Sequence, residues 1–142
     1  MGNALAPVRI EHIGIAVKDL DAAIVTYEKL LGTRCYAVEE VPGQNVRTAF
    51  FRLGESKIEL LESTSPDGPV AKFIANRGEG IHHIAYAVGD VRAALRDLAS
   101  AGTRLIDNEP RKGAEGLSIA FIHPRSACGV LTEITDATPS HQ

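Results

Sequence analysis

Apolar and polar residues follow the same succession of patterns twice along the chain. In the first half, residues 10–17 form an apolar, β-favouring run, and apolar positions then recur at helical spacing from Leu20 to Leu31. Asp19 precedes this helix as a candidate N-cap, and Gly32 follows it as a stop signal. Further strands are predicted at about 33–41, 46–53 and 57–62. The first half therefore predicts a βαβββ module.

The second half repeats this order. A strand is predicted at about 82–88 and a helix from Asp90 to Ala101, with later strands near 103–106, 117–122 and 129–135. A connecting helix is predicted in PVAKFIANRG, at about 69–77. The pattern favours an α+β fold in which two tandem βαβββ modules, at about 9–65 and 80–136, form one curved mixed sheet around a metal-containing cavity. We expect residues 1–142 to be a single domain.

The two halves also share sequence. RIEHIGIAV at 9–17 resembles GIHHIAYAV at 80–88, and the same offset of 71 residues pairs Asp19 with Asp90. A period this long exceeds the roughly 20–50 residues of solenoid repeats. It indicates instead a duplicated supersecondary unit, so chemistry found in one half is expected at the equivalent place in the other.

Histidines and glutamates occupy such equivalent places. Strand alternation puts His12, Gly14 and Ala16 on one face, and His83, Ala85 and Ala87 on the equivalent face, which leaves space before each imidazole. The last strand of each half carries a glutamate, Glu59 or Glu133. If a pseudo-twofold axis relates the halves, these histidines and glutamates converge.

Two residues near these candidates, one glutamate and one histidine, could also be interpreted as site residues. Glu62 is a rival of Glu59, but it has the opposite strand parity, and the match to Glu133 favours Glu59. His82 points to the face opposite His83 and is interpreted as structural.

Two imidazoles and two carboxylates suit a divalent ion such as Co²⁺, Ni²⁺, Mn²⁺, Fe²⁺ or Zn²⁺. Four protein ligands on a six-coordinate ion leave two adjacent positions for water or a chelating substrate. The set therefore indicates a catalytic site rather than a closed structural one.

Composition narrows the classes of partner and compartment. The net charge of −3 and the pI near 5.9 give no bulk attraction to nucleic acid. No apolar stretch approaches the roughly 20 residues needed to cross a bilayer, and no signal peptide is recognisable. Cys35 and Cys128 lack metal spacing and are interpreted as free thiols. We expect a cytoplasmic protein that binds neither nucleic acid nor membrane.

From Ile10 to Thr135 the chain resembles the vicinal-oxygen-chelate superfamily, and within it the methylmalonyl-CoA epimerase family. The segments that carry the resemblance are HIGIAVKDLDAAIVTYEKLLG, KIELLES with DGPVAKF, GEGIHHIAYAV, EPRKGAEGLSIAFIHP and GVLTEI. The resemblance implies metal ligands at His12, Glu59, His83 and Glu133, with Co²⁺ as the first choice. It also implies a homodimer and a CoA thioester substrate, inverted at C2 through an enolate that the ion stabilises.

The resemblance leaves the proton carriers and substrate contacts open. Some family members carry a glutamate at the position of Thr48, which is a candidate substrate contact in this chain. Glu133 is therefore the first candidate acid/base and Glu59 the second. Arg111 and Lys112 either bind a phosphate or carboxylate of the substrate or are ordinary surface charges.

His123, in FIHPRS, either contacts a ligand or caps a turn. Two other functions of the fold stay open as alternatives. Glyoxalase I uses a similar metal set on a glutathione hemithioacetal, and a metal-free binding protein would rely on aromatic stacking. An extradiol dioxygenase would use two histidines and one glutamate, so a fourth ligand at Glu59 argues against it.

Overall fold

The computed structural model describes residues 6–137, and its contacts divide the chain into two compact units. The first unit comprises residues 12–82, and the second comprises the described residues before 12 and after 82, so the first strand named for each unit begins three residues before the boundary. Each unit has four strands, both parallel and antiparallel to their neighbours, which at least one helix covers.

The first unit follows the βαβββ order and ends in an additional helix. Its strands are arranged as β2-β3-β4-β1, with β1 and β4 parallel and the other pairs antiparallel. The elements are β1 (Arg9–Ala16), α1 (Leu20–Leu31), β2 (Ala37–Val41), β3 (Val46–Leu53), β4 (Ser56–Ser63) and α2 (Pro69–Arg77).

The second unit has the equivalent arrangement, β5-β8-β7-β6, with β5 and β8 parallel. In addition, the backbone N–H of Val8 donates to the carbonyl of Ala87 at 2.9 Å, which ties the start of the chain to β5. The elements are β5 (Gly80–Val88), α3 (Val91–Ser100), β6 (Arg111–Lys112), β7 (Ser118–Ile122) and β8 (Thr132–Asp136).

Each sheet buries one face against its helix through residues at equivalent positions. In the first unit α1 packs on β3 and β4, and Leu20 and Leu60 belong to that core. In the second unit α3 packs on β7 and β8, and the matching positions are Val91 and Ile134. Because alternate strand residues point to opposite faces, the repeated histidines lie on the face of each sheet away from the helix.

The predicted α+β class and the two βαβββ modules are confirmed, and so is the helix after the first module. The strand predicted near 103–106 is wrong, since this segment forms only one isolated bridge, between Leu105 and Ile122. The Asp107 carboxylate accepts the Phe121 N–H at 2.9 Å, so a side chain takes the place of the next ladder bond. The edge strand forms later, at Arg111–Lys112.

Two predictions from composition can be compared with the structure. Cys35 and Cys128 are free thiols, as expected. None of the helices between residues 6 and 137 combines the length and apolar character needed to cross a membrane.

Both long helices begin at an aspartate cap, which yields a stability prediction. The Asp90 carboxylate accepts the Ala93 N–H at 3.0 Å, and Asp19 does the same for Ala22 at 3.1 Å. We expect Asp90→Ala to lower the free energy of unfolding by about 1 kcal/mol, because one N–H at the start of α3 loses its partner. Urea denaturation measures this change. Asp97→Ala, on the exposed side of α3, is the control and should stay within about 0.5 kcal/mol of wild type.

Candidate active site

The first unit contains a buried histidine–glutamate pair on neighbouring parallel strands. In the register of β1 and β4, Gly14 lies opposite Glu59. His12 precedes Gly14 by two residues, so His12 and Glu59 share a face of the sheet. The His12 Nδ1 atom lies 3.2 Å from Oε2 of Glu59, and both side chains are about 95% shielded from solvent. Gly14 has no side chain, which leaves room for the imidazole and the carboxylate to approach each other.

The second unit builds the same pair in the same way. Ala85 lies opposite Glu133 in the parallel register of β5 and β8. His83 precedes Ala85 by two residues, so Glu133 again lies beside the histidine. The His83 Nε2 atom is 3.1 Å from Oε1 of Glu133, and both residues are buried. Each half therefore brings one histidine and one glutamate from the predicted set together.

Each glutamate also faces a phenylalanine that the sequence analysis missed. In the antiparallel registers Phe50 lies opposite Glu59, and Phe121 lies opposite Glu133. The Phe121 ring meets the His83 imidazole edge-on, with centroids 5.6 Å apart. Phe50 and Phe121 are separated by 71 residues, the same offset as the histidines. That offset is the signal that could have found them.

A buried lysine accompanies the first pair and has no counterpart in the repeat. Lys57 is only 4% exposed, and its Nζ lies 3.6 Å from Oε2 of Glu59. The ammonium also lies over the Phe50 ring, 5.5 Å from the centroid. Lys57 shares strand parity with Glu59, so alternation along β4 could have placed it on the same face.

The rival glutamate and the threonine occupy different environments. Glu62 is half-buried and forms an ion pair with Arg47 at 3.0 Å. Thr48 is 1% exposed in the centre of β3, where it lies opposite Leu61. Of the two glutamates considered for the first unit, Glu59 is the one beside a histidine.

The two basic side chains selected in the sequence, Arg111 and Lys112, are more exposed than the His–Glu pairs. The Arg111 Nε atom is 3.2 Å from the Asp107 carboxylate, and its guanidinium lies over the Phe121 ring at 5.4 Å from the centroid. Lys112 is exposed on β6. Arg111 therefore contacts the aromatic ring that supports His83, whereas Lys112 has the character of a surface charge.

The structure gives the two other histidines structural contacts. His123 Nδ1 accepts the Arg125 N–H at 3.0 Å, so the side chain caps the turn Pro124–Ala127. The His82 ring packs edge-on against Phe73 of α2, with centroids 5.1 Å apart. The structural interpretation of His82 fits this contact, and the capping alternative for His123 is the one observed.

The donor atoms of each pair fit a divalent ion. Two atoms that bind one ion at about 2.1 Å lie roughly 3.0–3.4 Å apart at octahedral to tetrahedral angles. The His–Glu distances of 3.2 and 3.1 Å fall in this range. The same distances suit a hydrogen bond, so each pair can keep its geometry without an ion.

Comparison with known proteins places the chain in a family. The model of the glyoxalase/bleomycin resistance protein/dioxygenase superfamily matches residues 11–121. Human mitochondrial methylmalonyl-CoA epimerase is 36% identical over 130 residues, which cover 91% of this chain and 74% of that protein. The ethylmalonyl-CoA/methylmalonyl-CoA epimerase of Cereibacter sphaeroides is 40% identical over 128 residues, 89% of this chain and 96% of that protein.

Solved structures agree with these relatives. A variant of Streptomyces coelicolor methylmalonyl-CoA epimerase in complex with 2-nitronate-propionyl-CoA superposes with a TM-score of 0.90 and 39% identity, over 94% of this chain and 100% of that chain. A methylmalonyl-CoA epimerase in complex with methylmalonyl-CoA and NH4+ gives a TM-score of 0.90 and 38% identity, over 96% and 99% of the two chains. The chain therefore belongs to the glyoxalase/bleomycin resistance protein/dioxygenase superfamily and, within it, to the methylmalonyl-CoA epimerases.

Proposed function

We propose that this chain interconverts the two stereoisomers of methylmalonyl-CoA by moving the proton at C2. The observation that carries the proposal is the buried His–Glu pair at the same register in each half. Relatives that cover most of the chain are named for this reaction, and one was solved with methylmalonyl-CoA bound. A carbon between a thioester and a carboxylate has an acidic hydrogen, so the reaction needs proton carriers and a means of stabilising an enolate.

We further propose that His12, Glu59, His83 and Glu133 together hold one divalent ion. The support is the donor chemistry of the two pairs, since imidazole nitrogens and carboxylate oxygens suit divalent transition ions. The family resemblance makes Co²⁺ the first choice, with Ni²⁺, Mn²⁺, Zn²⁺ or Fe²⁺ as alternatives. When bound, such an ion supplies positive charge where the substrate oxygen becomes negative. The deep burial of both pairs keeps competing water away from these charges.

The protein's own groups would move the proton. Glu133 accepts it from C2 as the C–H electrons move toward the thioester carbonyl, and a second acid returns a proton to the opposite face. Glu59 is the other buried carboxylate of the proposed site and is the second carrier in this proposal. Thr48 cannot serve as a base at neutral pH, and we assign it to lining the substrate site.

The substrate's anionic groups need cations. We assign Arg111 to a substrate phosphate or carboxylate, because Asp107 orients its guanidinium over Phe121, the ring that packs on His83. Lys112 precedes the glycine-containing loop and is an additional candidate for phosphate binding. His123 retains Nε2 for a ligand contact while Nδ1 caps its turn.

Proton NMR in D₂O tests the proposed activity. With Co²⁺-loaded protein at catalytic concentration, the C2–H signal of methylmalonyl-CoA should disappear far faster than in buffer, because each turnover exchanges the proton with solvent. The His83→Ala variant is the control and should not accelerate the loss. Exchange at the buffer rate with metal bound would contradict the proposal, and the glutathione hemithioacetal of glyoxalase I would be tested next.

We also propose a cytoplasmic homodimer. Several large apolar side chains are more than half exposed in the isolated chain, among them Val8, Leu30 and Ile81. Light scattering during size-exclusion chromatography should give twice the chain mass of 15.2 kDa. A mass of one chain at micromolar concentration would contradict the dimer.

A further inference from the structure

Lys57 is a buried charged residue that the proposed mechanism leaves without a role. Lysine is almost never fully buried unless it is paired, because removing an ammonium from water is costly. Here the side chain is 4% exposed in the middle of the polar group formed by His12 and Glu59. Its position on β4 places it opposite His12 in the parallel register.

The contacts of Lys57 involve the same atom that faces His12. Oε2 of Glu59 lies 3.2 Å from His12 Nδ1 and 3.6 Å from Lys57 Nζ. An ion shared by His12 and Glu59 would use this oxygen, so the ammonium and the ion are attracted to one carboxylate. The Phe50 ring, over which the ammonium lies, keeps the lysine at this place.

The second half of the duplication lacks this lysine. The residue two positions before Glu133 is Leu131, whereas the residue two positions before Glu59 is Lys57. The two His–Glu pairs therefore share a strand register, but only the first has a lysine two positions before its glutamate. A lysine placed in only one of two duplicated pairs indicates a role particular to that pair.

We propose that Lys57 is an internal counter-ion of Glu59: its ammonium holds the carboxylate in place when no divalent ion is bound and opposes the ion electrostatically when one is. This inference rests on the proposed divalent-ion site. Lys57 is a positioning residue in this scheme, since it acts on the site through Glu59.

The proposal predicts tighter metal binding when the lysine charge is removed. We expect Lys57→Met to lower the dissociation constant for Co²⁺ at least about tenfold, because a cation a few ångströms from the ion is lost in a water-poor site. Isothermal titration calorimetry with metal-stripped protein measures this constant. The control is Lys72→Met, which removes an exposed lysine of the same unit and should change the constant less than about twofold, since solvent screens that charge.

Thermal unfolding supplies an independent readout. Without metal, Lys57→Met should melt several degrees below wild type, because Glu59 loses a buried partner charge, and Co²⁺ should raise its melting temperature more than it raises that of wild type. The double variant Lys57→Met/Glu59→Gln removes both charges and should melt close to wild type without metal. This rescue separates the loss of a counter-ion from the loss of packing.

The outcomes distinguish this inference from the proposed function. If wild type binds no divalent ion, the metal site itself is wrong and the inference fails with it. If wild type binds Co²⁺ but Lys57→Met binds it equally or more weakly, only the counter-ion role is overturned. If the single variant cannot be obtained folded, the double variant must fold, and its failure would also overturn the proposal.

Discussion

Replacing Glu133 by glutamine should lower the turnover of methylmalonyl-CoA by roughly 10²–10⁴-fold, the range that a general acid or base contributes. Glutamine has nearly the shape of glutamate, but its amide cannot accept the C2 proton. Glu133 is buried on β8, 3.1 Å from His83, so the neutral isostere can occupy the same space. Coupled epimerisation assays give the rate, and urea denaturation gives the stability.

Two comparisons make the Glu133→Gln result specific. Glu62→Gln alters a half-buried glutamate that pairs with Arg47, and its turnover should remain within about twofold of wild type. The Co²⁺ content of each purified variant separates the loss of a base from the loss of a ligand. A Glu133→Gln protein that is folded, metal-loaded and fully active would contradict the assignment of Glu133 as a proton carrier.

Truncating His83 to alanine should remove both metal binding and proton exchange. Groups that merely support a ligand often contribute 10–100-fold to metal affinity, so deleting a direct ligand should cost at least about 100-fold. Calorimetric titration with Co²⁺ and the D₂O exchange assay measure the two effects. We expect exchange at C2 to fall to the buffer rate.

The neighbouring histidine provides a matched control for this truncation. His82→Ala removes an imidazole of the same strand, one residue away, whose ring packs on Phe73 of α2. It should reduce stability while leaving the Co²⁺ affinity within about threefold of wild type, because no proposed ligand is lost. Equal losses of metal binding in the two variants would show that disruption of β5, rather than ligation by His83, explains the result.

Most of the secondary structure could be predicted because its signals are local and occur twice. Asp19 and Asp90 cap the helices, and Gly32 ends α1 with a φ of +66°, as their residue types suggest. The one wrong strand lies where the second half stops copying the first. There the segment forms a single bridge and the Asp107 side chain accepts the next N–H, that of Phe121, and such a long-range bond leaves no periodic signal in the sequence.

The candidate residues of the site could be selected from the sequence, but their pairing could not. Alternation and the repeat offset were enough to select His12, Glu59, His83 and Glu133, because parity decides which strand residues share a face. The phenylalanines opposite the glutamates were not predicted, since partners across an antiparallel pair depend on the register of two strands. The 71-residue offset links Phe50 with Phe121, but only the register shows that they lie opposite the glutamates.

The sequence by itself determined the α+β class, the duplication and the helix caps, and it selected the four residues proposed as ligands, because each depends on local periodicity or on comparison of the two halves. The tertiary structure decided how those residues are surrounded. It buried Lys57 against Glu59 and Phe50, set Arg111 over Phe121, and gave His123 a capping role. Burial and ionic partnership are properties of neighbours distant along the chain, so only the packed strands could determine them.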